Sequence, residues 1–220
     1  MTTLFTSVIV LTVGAASAFF AAGAQFGPDN PFFAPSSLPF QAPPFDKIND
    51  QDYQPAIEAG MDEELKAAEA IANNPDPPTL ENTIVAMEKS GQLLRRATAA
   101  FFAITGANTN PALQKIRSIE QPKLAAHRDA IYLNQKLFHR VEAVYQQRAT
   151  LHLDSESLRL IEFYYKEFVH AGANLKDSDK AELQKLNTEL ASLSNAFSTK
   201  LLEATKAAAY VAADEAALAG

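Results

Sequence analysis

Between Leu183 and Leu201, six large apolar residues (Leu183, Leu186, Leu190, Leu193, Phe197 and Leu201) recur at intervals of 3, 4, 3, 4 and 4. A helix turns once every 3.6 residues, so this spacing gathers all six on one stripe. A strand would scatter them over both faces. The same period returns upstream. Tyr53, Ile57, Met61, Leu65, Ala68 and Ile71 predict a first helix over about 52–73, with Pro55 in its first turn and the run Asn73-Asn74-Pro75-Asp76-Pro77-Pro78 as its stop. Leu80, Ile84, Met87, Gly91, Leu94, Thr98 and Phe101 predict one continuous second helix. Thr79 caps it, Glu81 faces its positive end, Gly91 marks a close helix crossing, and it closes near Gly106.

Asn110-Pro111 reads as cap and first-turn proline of a third helix, which Pro122 should kink. Leu124, Ala125, Ile131, Leu137, Phe138, Val141 and Tyr145 carry the pattern to about Arg148, with a break near Asn134. Asp154 caps the next helix, striped by Leu158, Ile161, Tyr165 and Phe168 and stopped at Gly172. Asp177 is the expected cap of the helix bearing the Leu183–Leu201 stripe. No repeat of fixed period occurs. The fold class is therefore all-α, a multi-helix antiparallel bundle with long hairpins.

Three stretches fall outside this pattern. Residues 1–28 carry no charged side chain, and Leu4–Ala24 is apolar or small throughout. Residues 1–24 read as an export signal, with small-x-small cleavage patterns at Ala16-Ser17-Ala18 and Ala22-Gly23-Ala24, or as an uncleaved membrane anchor. Either places the protein in the periplasm or outside the cell, and a membrane is a partner only in the second case. Residues 25–46 form a Pro- and Phe-rich arm. Six of the 12 prolines lie between Pro28 and Pro44, so the arm is extended, and Phe26, Phe32, Phe33, Leu38, Phe40 and Phe45 are expected to bury their rings on a helical surface. Residues 47–206 are the helical region. Residues 207–220 are Ala-rich, helix or short strand, and read as the start of a further segment. Leu202, Val211 and Leu218 lie beyond the last stripe with no sequence to cover them, as a frayed tail or as the contact face of a missing part.

Composition removes several kinds of chemistry. The 220 residues include no Cys, which excludes disulfides, thiol catalysis and Cys-ligated metals. The net charge is −7, and Arg95-Arg96 is the one adjacent basic pair, which argues against a nucleic-acid partner. His127, His139, His152 and His170 never stand three or four apart, and HExxH is absent. Glu167 and His170 match the Glu-x-x-His pair of diiron bundles, but such a site needs two pairs; a solvated Glu167, with His170 at a helix C-terminus, explains them. Glu58 and Asp62 could bring two carboxylates together at i,i+4, although an acidic solvated face with Glu63 and Glu64 is the simpler account. Glu162-Lys166 is an exposed helix pair. Arg95-Arg96 could grip an anion or simply face solvent, and Tyr164-Tyr165 reads as core. The residues alone offer no catalytic, cofactor-binding or metal site.

Six segments together carry a resemblance: LPFQAPPFDKINDQDYQPAIEAGM (38–61), IANNPDPPTLENTIVAMEKSGQLL (71–94), FFAITGANTNPALQKI (101–116), PKLAAHRDAIYLNQKLFHRV (122–141), SLRLIEFYYKEFVHAGANL (157–175) and LNTELASLSNAFSTKLLEATK (186–206). In this order and spacing they resemble the N-terminal region of the thimet-oligopeptidase-like zinc metallopeptidases (peptidase family M3), on the side of its bacterial peptidyl-dipeptidases. The resemblance implies a large helical enzyme split by a channel. Zinc on an HExxH helix would activate water against short peptides, and the N-terminal helices would wall and cap the channel. It implies zinc for the complete enzyme and none held by this chain, because the zinc ligands, the general base and the substrate-contacting residues have no counterpart here. The chain alone is then inactive, and its partners are short peptides and a missing C-terminal catalytic region. A non-enzymatic secreted helical module that binds peptides or proteins is the alternative.

Overall fold

Proline keeps the first part of the chain out of helices. In the computed structural model, which describes residues 26–209, 212–214 and 217, the arm runs through turns and one 3₁₀ turn at Pro39–Gln41 before any α-helix begins. Helix α1 spans Asp50–Ala72, with Asn49 as cap; the Asn49 N–H donates to Asp52 Oδ2 at 2.7 Å. It starts two residues before the expected position, so Pro55 falls in its second turn. After the proline-rich turn, a π-helical stretch Leu80–Val85 leads into the short α2, Ala86–Lys89. The expected Thr79 cap is in place: the Asn82 N–H donates to Thr79 Oγ1 at 3.1 Å.

The expected continuous second helix is broken. Chain direction changes at Ser90-Gly91, and α3 restarts at Gln92–Ala107. Gly91 has φ of +67°, the left-handed region that costs a side-chain-bearing residue about 1–2 kcal/mol. A Cβ there would also run into the Glu64 carboxylate. Gly91 is thus a break, and the close crossing lies at Gly60 in α1. A Cβ on Gly60 would stand 2.7 Å from both Cα and N of Leu94 in α3.

Asn110 caps α4, Pro111–Tyr132, accepting from the Leu113 N–H at 2.9 Å. The helix runs through Pro122 as a single element. Asn134 separates it from α5, Gln135–Gln147, and accepts from the Leu137 N–H at 3.1 Å. A 3₁₀ turn, Arg148–Thr150, leads to α6, Ser155–Ala171, where the Asp154 cap accepts from the Ser157 N–H at 2.8 Å. Gly172 ends α6 at φ +98°, and the Ala173 N–H closes back on the Phe168 carbonyl at 2.9 Å. Helix α7 covers Asp177–Ala207. Its cap position is Lys176, so Asp177 is a first-turn residue near the positive helix end and not the cap. The described residues contain no strand.

Two cores share α1 as a spine. At its N-terminal half, Tyr53 and Ile57 pack with Phe32, Leu93, Ala97, Phe101 and Leu113. At its C-terminal half, Ala68 and Ile71 join Ile84, Ile131, Leu137, Phe138, Val141, Ile161 and Phe168. Burial of one such side chain contributes about 1.5–3 kcal/mol. α1 packs on α3 and α4, α5 on α6, and α7 on α4. The buried Arg140 ties the second core to the proline-rich turn, donating to the carbonyls of Asn74 at 2.8 Å and Asp76 at 2.9 Å and to Asn82 Oδ1 at 3.0 Å.

The arm does not bury its rings as expected. Phe32 is buried and Phe26 half-buried, but Phe33, Leu38, Phe40 and Phe45 are exposed. Phe40 and Gln41 both adopt positive φ, and the Phe40 ring is fully exposed. Residues 1–24, and with them the signal or anchor, lie outside the described residues. Among the described residues no helix is long and apolar enough to cross a membrane.

Candidate functional site

The side chains singled out by the sequence do not converge. Glu167 is half-buried and meets Arg128 at 3.1 Å, while His170 is exposed in the last turn of α6. Glu58 turns to Lys123 and Gln54, and Asp62 stands exposed, with no bond joining the two carboxylates. Arg95 Nη2 donates to the Glu88 carbonyl at 2.9 Å, and Arg96 Nη2 donates to the Phe32 carbonyl at 3.2 Å. Tyr164 is core, with its hydroxyl donating to Glu88 Oε2 at 2.6 Å, and burial pushes that phenol far up. Tyr165 stacks on Tyr145 at 3.8 Å between ring centroids. Glu162 and Lys166 approach to 4.0 Å at the surface. His127 Nε2 meets Glu64 Oε2 at 2.7 Å, and His139 Nδ1 stands 3.8 Å from Glu142 Oε2. Among the described residues no three of the His, Cys, Asp and Glu side chains gather as a metal set would.

One polar cluster escaped the sequence reading. Glu120 on α4 is fully buried, and its Oε1 accepts from Lys123 Nζ at 3.0 Å. The same Lys123 bridges to Glu58 on α1, and Glu120 Oε2 has no partner. The only sequence signal was Glu120 and Lys123 at i,i+3; Glu58 comes to them from far along the chain. Burial pushes the Glu120 carboxyl above its usual 4.5, with the Glu58 charge adding to the rise and Lys123 opposing it. For Glu58 burial also pushes upward, but the bonds from Lys123 and Gln54 outweigh it and hold the group low.

The sign of the linkage follows for Glu120. A carboxyl raised in the folded state favours folding below its unfolded pKa of about 4.5, and that contribution is lost as pH rises through the folded value. Glu120→Gln should therefore melt close to the parent near pH 4 and above it at neutral pH. The gap should widen as pH climbs past 4.5. Thermal melts across that range check this, and a pH-independent gap would contradict it.

The largest unsatisfied feature is the outer face of α7. Leu186, Leu190, Leu193, Phe197 and Leu201 are each between 53 and 68 % exposed. The expected stripe is there, but from Leu186 onward it faces solvent, and only Leu183 is half-buried. Inward the helix turns its small and polar side: Asn187 Nδ2 donates to Asp129 Oδ1 on α4 at 2.8 Å, and Lys180 Nζ reaches Gln135 Oε1 at the start of α5 at 2.5 Å. Asp129 is buried and its Oδ2 has no partner; burial pushes its carboxyl up against the pull of Asn187 and Arg128. Of the three residues expected to lie bare beyond the stripe, only Leu202 is among the described residues. Leu202 is half-buried in the cleft between α7 and the start of α4, whereas Val211 and Leu218 lie outside the described residues. The available signal was the opposite face, where Asn187, Ala191, Asn195 and Ser198 keep the same spacing. A long helix with leucines on one side and small residues on the other leaves one side bare unless something covers each.

No family model matches the chain. Individual proteins do. The chain is 48 % identical over 191 residues to the dipeptidyl carboxypeptidases of Escherichia coli (strain K12) and Salmonella typhimurium, a match that covers 87 % of this chain and 28 % of each relative. It is 25 % identical over 167 residues to a probable cytosolic oligopeptidase A of Arabidopsis thaliana, covering 76 % of this chain and 24 % of that protein. The chain spans about a quarter of the length of these curated relatives.

Proposed function

Because the chain belongs to the thimet-oligopeptidase-like peptidases (family M3), we propose that its residues form the N-terminal, substrate-gating wall of a zinc-dependent peptidyl-dipeptidase, which releases dipeptides from the free C-termini of short oligopeptides. The observation that carries this reading is the 48 % identity to dipeptidyl carboxypeptidases over 191 residues. Zinc enters through the family alone, and no residue described here is assigned to it. The groups that break the bond belong to a catalytic part outside these residues. What this chain contributes is steric: a rigid helical wall, stiffened by two cores on one spine, that admits an extended peptide and turns away a folded one. Residues 1–24 act as an export address, which places the enzyme outside the cytoplasm.

A chimera tests the proposal. In the Escherichia coli dipeptidyl carboxypeptidase, the matching N-terminal region is replaced by residues 25–220 of this chain, and dipeptide release from a short peptide is followed. The chimera should keep kcat/KM within about tenfold of the parent. The isolated chain should show neither turnover nor stoichiometric zinc. A folded but inactive chimera, or turnover by the isolated chain, would overturn the reading. The bare face of α7 also favours a second reading, a non-enzymatic helical module that binds peptides or proteins. That reading expects a folded, inactive chimera.

A further inference from the structure

The arm and α3 enclose a cleft of about 290 Å³ whose walls are chemically lopsided. Pro31, Phe32, Phe40 and Pro44 supply apolar surface, and Arg95 and Arg96 are the only charged residues that line it. In a chain of net charge −7, a cleft lined by two cations and by no carboxylate runs against the average. Arg95 donates to the Glu88 carbonyl and Arg96 to the Phe32 carbonyl, and neither joins an ion pair among the described residues. Arg96 Nε is buried with no hydrogen-bond partner. At the rim, Phe40 and Gln41 hold φ of +58° and +55° without being glycines, and this places a fully exposed aromatic ring at the mouth. Strain of this kind persists where the surrounding structure holds it, and it concentrates at ligand clamps.

We infer that this cleft binds the carboxylate end of a small apolar peptide. A carboxylate matches the guanidinium fork and gains charge-assisted hydrogen bonds there. The aromatic and proline surface takes the neighbouring apolar side chain. The volume, at the small end of ligand pockets, limits the enclosed part to about two residues. The choice of a peptide as ligand rests on the peptidase reading above; the charge and shape of the cleft do not.

The test uses the 220-residue chain and three probes: leucyl-phenylalanine, its C-terminal amide, and acetate, with binding read by calorimetry. The free dipeptide should bind at least about tenfold more tightly than either of the others. Arg95→Met and Arg96→Met should each remove most of that preference for the acid. Phe40→Ala should weaken both the acid and the amide, since it removes apolar contact and no charge. Thermal melts accompany each variant. Arg95 is exposed, so its variant decides the matter if Arg96→Met melts early. Equal binding of acid and amide, unchanged binding by Arg95→Met, or acetate as tight as the dipeptide would each overturn the assignment. None of these outcomes touches the chimera assay. A dead chimera with dipeptide binding intact would instead remove the peptidase reading and leave a carboxylate site.

Discussion

Gly60→Ala should destabilise the chain by about 2 kcal/mol, although alanine is the better helix former by about 1 kcal/mol. The reason is the α1–α3 crossing. The new methyl would sit 2.7 Å from backbone atoms of Leu94, and backbone cannot rotate aside as a side-chain tip can. Relief requires α3 to move away from α1, which loosens the contacts of Ile57, Leu93 and Ala97 in the same core. For a domain of this size the loss corresponds to a fall in Tm of about 4–8 °C. Gly60→Val, with two further methyl groups, should fall further and lose cooperativity. Gly106→Ala is the matched control: nothing lies within 4 Å of its added Cβ, so the propensity gain of up to about 1 kcal/mol should survive. Calorimetric melts of the three variants decide this. If Gly60→Ala melts at or above the parent, the helices do not cross as closely as described.

The contrast between Gly60 and Gly91 shows what periodicity can and cannot disclose. Features decided within one turn of chain were legible. Thr79, Asn110 and Asp154 cap helices because their side chains reach an N–H three residues on, and Gly172 stops a helix because it tolerates positive φ. Gly91 sits on a 4-3-4 seam, where a glycine is compatible either with a close crossing or with a break, and its neighbours in sequence do not separate the two. Gly60 gave no signal because its reason for being glycine is Leu94, a residue on another helix. The carboxylate cluster was hidden in the same way. Glu120 and Lys123 share a helix, but the Glu58 that completes the cluster arrives through the packing of α1 on α4. Chemistry was the least legible part. Family membership came from resemblance spread over the whole helical region, and no single side chain announced it.

The α7 stripe was legible as a stripe but not as a surface, because spacing says which residues share a face and is silent about what covers it. This sets up the second large effect. Leu190→Glu, Leu193→Glu and Phe197→Glu together should leave the Tm of the isolated chain within about 3–6 °C of the parent, since exposed positions seldom change stability by more than about 0.5 kcal/mol each. Binding of a hydrophobic dye should fall at the same time, because the bare apolar face is what the dye reads. In the chimera with the Escherichia coli catalytic region the same three changes should abolish dipeptide release. There each side chain would have to bury a carboxylate where about 1.5–3 kcal/mol of apolar burial is expected. Gln184→Glu with Ser192→Glu, exposed on the same helix but off the stripe, should leave the chimera active. The two readouts together separate a face built for contact from surface that merely happens to be apolar. A triple variant that stays folded and keeps full activity in the chimera would show that nothing in the complete enzyme leans on α7. A triple variant that melts early in the isolated chain would show that the stripe already supports the fold by itself.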